Sequence, residues 1–137
     1  MSQEQWKTIS EYQGHVFSGD WEVSSWGNVR NKSGKVMPYY VDGRGLGYLR
    51  FKLYDVDGVR VAIKVHRLVA LYFLPTSNKN LEINHIDGNV KNNSYTNLEW
   101  VTHRENVQKY WIHKKSDVNT TQLELNLGGM NEGLQQL

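Results

Sequence analysis

Asn84-His85-Ile86-Asp87-Gly88-Asn89, read with Asn97 twelve residues after His85 and Asn106 nine further on, decides how this chain is read. The segment brings one imidazole, several amide oxygens and a tight Asp-Gly turn within about two dozen residues. An imidazole takes a proton from water near neutral pH. Amide oxygens are hard donors that suit a divalent cation such as Mg²⁺ or Mn²⁺. The flanking residues set a local fold. Leu81–His85 reads as a strand with the imidazole at its end, and Leu98–Val101 as the returning strand. The Asn- and Gly-rich loop between them, Ile86–Thr96, is longer than a hairpin needs, and such loops in compact domains often mark function. Thr102 is a good N-cap with Glu105 three residues later, a capping-box register that starts a helix running to about His113.

Further segments stand around this one in a fixed order. His66-Arg67-Leu68-Val69-Ala70 and Phe73-Leu74-Pro75 precede it, and Asn97-Leu98-Glu99-Trp100-Val101-Thr102 and Glu105-Asn106 follow. Upstream lies Trp21-Glu22-Val23-Ser24-Ser25-Trp26-Gly27-Asn28-Val29-Arg30. The set resembles the HNH homing endonucleases of phage and intron origin, and the upstream segment resembles the nuclease-associated module often fused ahead of that domain. The resemblance covers roughly residues 6–113. It implies an α+β fold, with an antiparallel β module over residues 1–65 and a ββα-metal (HNH, His-Me finger) nuclease domain over residues 66–115. Residues 116–137 are left as an acidic, loose tail.

The resemblance also implies an activity, the metal-dependent hydrolysis of phosphodiester bonds in double-stranded DNA by a phage or mobile-element enzyme. In that scheme His85 is the general base. Asn97 bridges the loop and helps to orient the His. Asn84 and Asn106 hold one divalent cation, Mg²⁺ or Mn²⁺. Some members carry Asp where this chain has Asn84. The two amides here are neutral, so the DNA phosphate would have to supply negative charge. Two other readings stay open: a DNA-binding protein that keeps the fold without cleaving, and a relatively nonspecific nuclease. The second draws on the tail, which is too short and too poor in basic residues for the helix-turn-helix reader of longer homing relatives.

The leading half carries a period-2 pattern. Leu49, Phe51 and Leu53 alternate with Tyr48, Arg50, Lys52 and Tyr54, and Asp55-Val56-Asp57-Gly58 turns the chain. Val59, Val61, Ile63 and Val65 then alternate with Arg60, Ala62, Lys64 and His66. One face is apolar and the other basic and aromatic, which describes a half-buried hairpin. Such a ribbon fits a DNA major groove, so Arg50, Lys52, Arg60 and Lys64 are candidate DNA contacts. Arg104, Lys109, Lys114 and Lys115, on or just after the last helix, are candidates for a phosphate track. Lys35–Tyr40 reads as a further strand, Val41–Gly47 as a loop with three glycines, and Arg67–Leu74 as a short helix stopped by Pro75. His66 is expected to satisfy a local hydrogen bond, Asp87 to form a turn, His103 to lie on the surface, and Trp100 and Trp111 to pack in the core.

Composition sets outer bounds. The 137 residues make one domain or two small ones. There is no Cys, which excludes disulfides and Cys-ligated zinc. No apolar run reaches membrane-spanning length, so a soluble, cytoplasmic protein without a membrane partner is expected. All 16 Lys and Arg fall in residues 1–115, against 11 acidic residues, the chain's 14 less Asp117, Glu124 and Glu132. That body carries a net +5, which suits a polyanionic partner. One chain bears one such site. A monomer is therefore expected to nick, and a dimer would be needed to break both strands.

Overall fold

A computed structural model describes residues 3–43, 47–76, 78 and 80–116, with side chains described as far as Ile112. The alternating hairpin forms in the register its pattern requires. Strand β7 (Leu49–Tyr54) pairs antiparallel with β8 (Arg60–Lys64), setting Arg50 opposite Lys64, Phe51 opposite Ile63 and Leu53 opposite Val61. Phe51 and Ile63 are fully buried, whereas Lys52, Tyr54 and Arg60 face solvent. The turn is closed by Asp55, whose Oδ1 accepts from the backbone N–H of Asp57 (2.9 Å) and Val59 (2.8 Å). A third strand, β6 (Tyr40–Val41), lies against β7.

Two expectations shift here. The Lys35–Tyr40 strand does not form; Val36 makes only an isolated bridge to Arg30, and pairing resumes at Tyr40. Pro38 lies in that stretch and has no N–H to give to a ladder. Val65 ends the alternation in sequence but opens helix α1 (Val65–Phe73), two residues before the expected start. Within the Val41–Gly47 loop, residues 44–46 lie outside the described residues, as do residues 117–137 of the expected tail.

Ahead of the hairpin, β1 (Trp6–Thr8), β4 (Trp21–Ser24) and β5 (Val29–Asn31) make a second antiparallel sheet in the order β1-β4-β5. A two-stranded ribbon, β2 (Glu11–Tyr12) with β3 (His15–Val16), connects β1 to β4. His15 donates to Asp55 at 2.9 Å, and the Val56 N–H donates to the Val16 carbonyl, so the ribbon is fastened to the hairpin turn.

Helix α1 occupies the centre. Its Val65, Leu68, Val69 and Ala70 are fully buried and join Ile9, Val23, Val29, Phe51 and Ile63 in one apolar cluster. Ile83 and Leu98 from the following strands belong to the same cluster. The expected boundary at residues 65–66 thus falls on the first turn of α1, with core partners on both sides. Each large side chain so buried stabilises the fold by about 1.5–3 kcal/mol relative to exposure. Trp100 packs on this cluster and donates its indole N–H to the Leu74 carbonyl at 2.8 Å. Trp111 is not in the cluster; it meets Tyr110 edge-on at 5.6 Å.

The last three elements are a hairpin and a helix. Strand β9 (Glu82–His85) pairs antiparallel with β10 (Leu98–Val101), which places His85 opposite Leu98 and Asn84 opposite Glu99. A single 3-10 turn, Tyr95–Asn97, leads into β10. Helix α2 (His103–Ser116) then crosses both strands. Its capping box is complete: Glu105 N–H donates to Thr102 Oγ1 and Thr102 N–H to the Glu105 carboxylate, each at 3.1 Å. Among the described residues no helix is long and apolar enough to cross a membrane.

Candidate active site

Alternation along β9 divides its four side chains between two faces. Glu82 and Asn84 are half-buried and engage α2 and β10; Ile83 and His85 are buried. Asn84 donates its amide N–H to Glu99 at 3.0 Å, and Lys109 of α2 reaches the same Glu99 oxygen at 3.1 Å. Asn106 donates its amide N–H to Glu82 at 2.9 Å. His103 donates to the other Glu82 oxygen at 2.6 Å. The Asn106 hydrogen bond, aided by His103 and opposed by burial, holds the Glu82 carboxyl below the usual carboxylate range. Both candidate ligands therefore have their amide nitrogen committed to a carboxylate. In a carboxamide that leaves the oxygen as the end available to a cation.

His85 lies in a different environment. The residue is 4% exposed, and its Nε2 is 2.8 Å from Asn93 Oδ1. Tyr48 stacks on it with centroids 5.8 Å apart, and His66 tilts against it at 5.1 Å. Burial pushes the His85 pKa below its ordinary value, against the opposing pull of the Asn93 hydrogen bond and the Asp87 charge. The ring is thus neutral at pH 7 and able to accept a proton. His66 is pushed down to about 3, first by burial and then by the neighbouring His85. Its Nδ1 is buried without a hydrogen-bond partner, so the local bond expected of it is not made by that atom. Its ring packs instead as an uncharged neighbour against both Tyr48 and His85.

Asn97 bridges the loop. Its Oδ1 accepts from the Asp87 N–H at 3.0 Å, and its Nδ2 donates to Asp87 Oδ1 and to the Asn92 carbonyl, each at 2.9 Å. Asp87 sits in its turn, accepting also from Asn89 N–H and from the Asn92 amide. The residue against the imidazole is Asn93 and not Asn97.

The basic residues fall into two groups. Arg50, Lys52, Arg60 and Lys64 share one face of the hairpin, as their pairing requires. Lys64 lies 6.0 Å from the centroid of Tyr48, the ring stacked on His85, so this face runs up to the imidazole. Arg50 is ion-paired with Asp42 at 2.8 Å, an acid from outside the alternating pattern. Lys109 is drawn in to Glu99, while Arg104 in the first turn of α2 is exposed. The side chains of Lys114 and Lys115 lie outside the described residues.

The comparisons with known proteins point to one family. A family model described as HNH endonuclease matches residues 64–108. A solved structure, "DNA binding and cleavage by the HNH homing endonuclease I-HmuI", superposes with a TM-score of 0.65 at 34% identity, covering 93% of this chain and 68% of that one. The chain belongs to the HNH endonuclease family. In sequence it is 36% identical over 119 residues to DNA endonuclease I-HmuI of Bacillus phage SP01, covering 86% of this chain and 64% of the relative. It is 33% identical over 116 residues to H-N-H endonuclease F-TflII of Escherichia phage T5, covering 83% and 56%. The chain thus spans somewhat under two thirds of the length of these phage relatives.

Strands β9 and β10 with α2 are the ββα unit of the HNH fold, preceded by antiparallel β structure. Four side chains at the HNH site escape sequence reasoning: Asn93 and His66 against the imidazole, and Glu82 and Glu99 against the amides. Glu82 and Asn84 share a strand face, a signal that strand periodicity offers. Nothing in the sequence separates Asn93 from its neighbour Asn92.

Proposed function

We propose that this chain is a metal-dependent DNA endonuclease that hydrolyses phosphodiester bonds in double-stranded DNA, in the manner of phage homing enzymes, each monomer nicking one strand. The observation that carries the reading is the pairing of a neutral, buried His85 with two amide oxygens left open, one on the same strand and one on the neighbouring helix. The donor set fits a hard cation. Asn84 and Asn106 offer oxygen, and Glu82 and Glu99 place negative charge beside them. Among the described residues no group of three or more His, Cys, Asp or Glu is arranged to hold a metal, so the fit is to weak binding that DNA would complete. A bound Mg²⁺ or Mn²⁺ would supply charge neutralisation at the scissile phosphate and stabilise the departing oxygen.

The chain's own residues do the rest. His85 takes a proton from the attacking water. Tyr48 and His66 keep its ring dry on two sides and so keep it uncharged. Asn97 holds the loop that follows the imidazole. Lys52, Arg60 and Lys64 hold the duplex by its phosphates, a contact that positions without reading sequence. The test is incubation of supercoiled plasmid with Mg²⁺ or Mn²⁺, with chelator in parallel. Relaxed circles should appear only with metal, and His85→Ala should lower the rate by about 10²- to 10⁴-fold while leaving DNA binding nearly intact. Cleavage in excess chelator, or near wild-type cleavage by the His85 variant, would refute the reading. Retained DNA binding without any cleavage would favour the inactive DNA-binding alternative, to which the uncharged Asn84 lends its weight.

A further inference from the structure

We infer that Asn93 is a positioning residue that fixes which nitrogen of His85 bears the proton, and that the Trp26-Gly27 corner of the leading β structure holds Asn93 in place. The inference rests on the reading of His85 as the general base. A carboxamide oxygen can only accept a hydrogen bond. With Asn93 Oδ1 at 2.8 Å, the His85 proton must reside on Nε2. The lone pair is then left on Nδ1, the nitrogen that would receive a proton from water. Asn93 is itself 4% exposed, so water does not compete for this bond.

What fixes Asn93 is less local than its bond. It lies eight residues past His85 in the long loop between β9 and β10. The first part of that loop is tied by Asn97, Asp87 and Asn92. The part that carries Asn93 is held from outside. Tyr95 donates its backbone N–H to the Ser25 carbonyl at 2.8 Å. Gly27 packs so closely that a Cβ there would lie 2.9 Å from Asn93 Cβ and 3.1 Å from the Asn93 carbonyl oxygen. The first distance is shorter than real Cβ contacts essentially ever are, the second is tighter than nine in ten of them, and one of the atoms met is backbone. Gly27 also has φ +88°, a conformation L side chains rarely adopt.

The corner is built to be stiff. Ser24 and Ser25 are almost wholly buried. Ser24 Oγ accepts from the N–H groups of Trp26 (3.2 Å) and Asn28 (3.0 Å), and Ser25 Oγ accepts from Gln5 N–H at 2.9 Å. Tyr39 donates its hydroxyl to the Gly27 carbonyl at 2.6 Å. A contact path therefore runs from Tyr39 through Gly27 and Asn93 to the imidazole, linking residues far apart in the chain. On this account the leading β structure completes the active site as well as contacting DNA.

The test uses the full chain. Nitrogen-15 NMR without added metal should show the wild-type His85 proton on Nε2. Asn93→Leu should shift the ring toward a mixture or the other tautomer and lower kcat by about a hundredfold, a loss typical of a misplaced catalytic group, with KM and DNA affinity unchanged. Asn93→Asp keeps an acceptor oxygen and should restore the Nε2–H form and most of the rate. For the corner, Gly27→Ala is compared with Gly34→Ala, which has φ +94° but open space around its Cβ. Both carry the backbone strain, and only Gly27→Ala should reproduce the Asn93→Leu shift and kcat loss. If Gly27→Ala does not fold, Tyr39→Phe decides, with a smaller change expected in the same direction. An unchanged tautomer in Asn93→Leu would overturn the role of Asn93. Equal behaviour of the two glycine variants, or a wild-type Tyr39→Phe, would overturn the role of the corner. Failure of the nuclease reading shows separately, as His85→Ala cleaving like wild type, while the tautomer measurement needs no cleavage.

Discussion

Asn97→Ala deletes three hydrogen bonds from the loop that follows His85. Two are neutral, from Asp87 N–H to Oδ1 and from Nδ2 to the Asn92 carbonyl, and each contributes about 1 kcal/mol net. The third, from Nδ2 to the Asp87 carboxylate, has an ionised acceptor and contributes about 1.5–3 kcal/mol when sheltered. Asn97 is buried but Asp87 is exposed, so water replaces part of what the carboxylate loses. The expected destabilisation is about 2–3 kcal/mol. Urea unfolding followed by tryptophan fluorescence measures it as a lower midpoint with an unchanged slope. Asn97→Asp makes the reasoning sharper. It keeps the acceptor for Asp87 N–H but sets a second carboxylate against Asp87, which raises the pKa of the pair in the folded state. The variant should therefore be least stable near neutral pH and regain stability as pH falls through that raised value and one carboxyl takes up a proton. A loss below about 0.5 kcal/mol for the Ala variant, the scale of an ordinary surface change, would refute the account. So would an Asp variant whose deficit does not shrink on acidification.

Other tests reach the rest of the molecule. The hydrogen bond from His15 holds the Asp55 carboxyl below the usual range, helped by the backbone N–H groups it caps, so its stabilisation is present above the ordinary carboxylate pKa and lost as pH falls through the lowered value. Asp55→Asn should flatten the decline in urea midpoint between neutral pH and about pH 3, and an unchanged decline would place the acid sensitivity elsewhere. Replacing Lys52, Arg60 and Lys64 by Ala should each reduce the log–log salt slope of DNA binding by about 0.9, with a smaller effect for Arg50, which Asp42 already engages. Equal effects from all four, or none, would contradict the charge distribution on that face. Asn84→Asp replaces the amide that donates to Glu99 by a carboxylate, so calorimetry without DNA should show tighter Mn²⁺ binding and thermal melting without metal a lower Tm. No gain in affinity would remove this position from the ligand set.

The hairpin was legible because its apolar period is two and unbroken from Leu49 to Leu53 and from Val59 to Ile63, and register follows once one face must be buried. The same pattern misled at its end. Val65 continues the alternation in sequence, and a period-2 signal does not show where a strand hands over to a helix whose first residue is also buried. The capping box at Thr102 and Glu105 was legible because it is a purely local device. The partner of the imidazole was not. Asn92, Asn93 and Asn97 are chemically alike, and which of them reaches His85 depends on the loop's path, fixed by Gly27 and Ser25 from a distant segment. Glu82 and Glu99 escaped for a related reason, since their pairing with Asn106 and Asn84 needs the packing of α2 across the strands.

The apolar cluster around α1 bears on how proteins of this kind can exchange parts. Ile9, Val23 and Val29 from the front of the chain and Ile83 and Leu98 from the rear meet on the same short helix. A recombination joint placed just ahead of α1 would look clean on the sequence, yet each half would present an unfilled apolar surface to the other. A grafted leading module would have to match the shape of that surface and carry a glycine-bearing corner at the right height above the loop. Successful grafts should therefore come from donors whose Ser-Trp-Gly-Asn corner and α1 have been inherited together, and a mismatched graft would first be recognised as an insoluble or protease-sensitive chain.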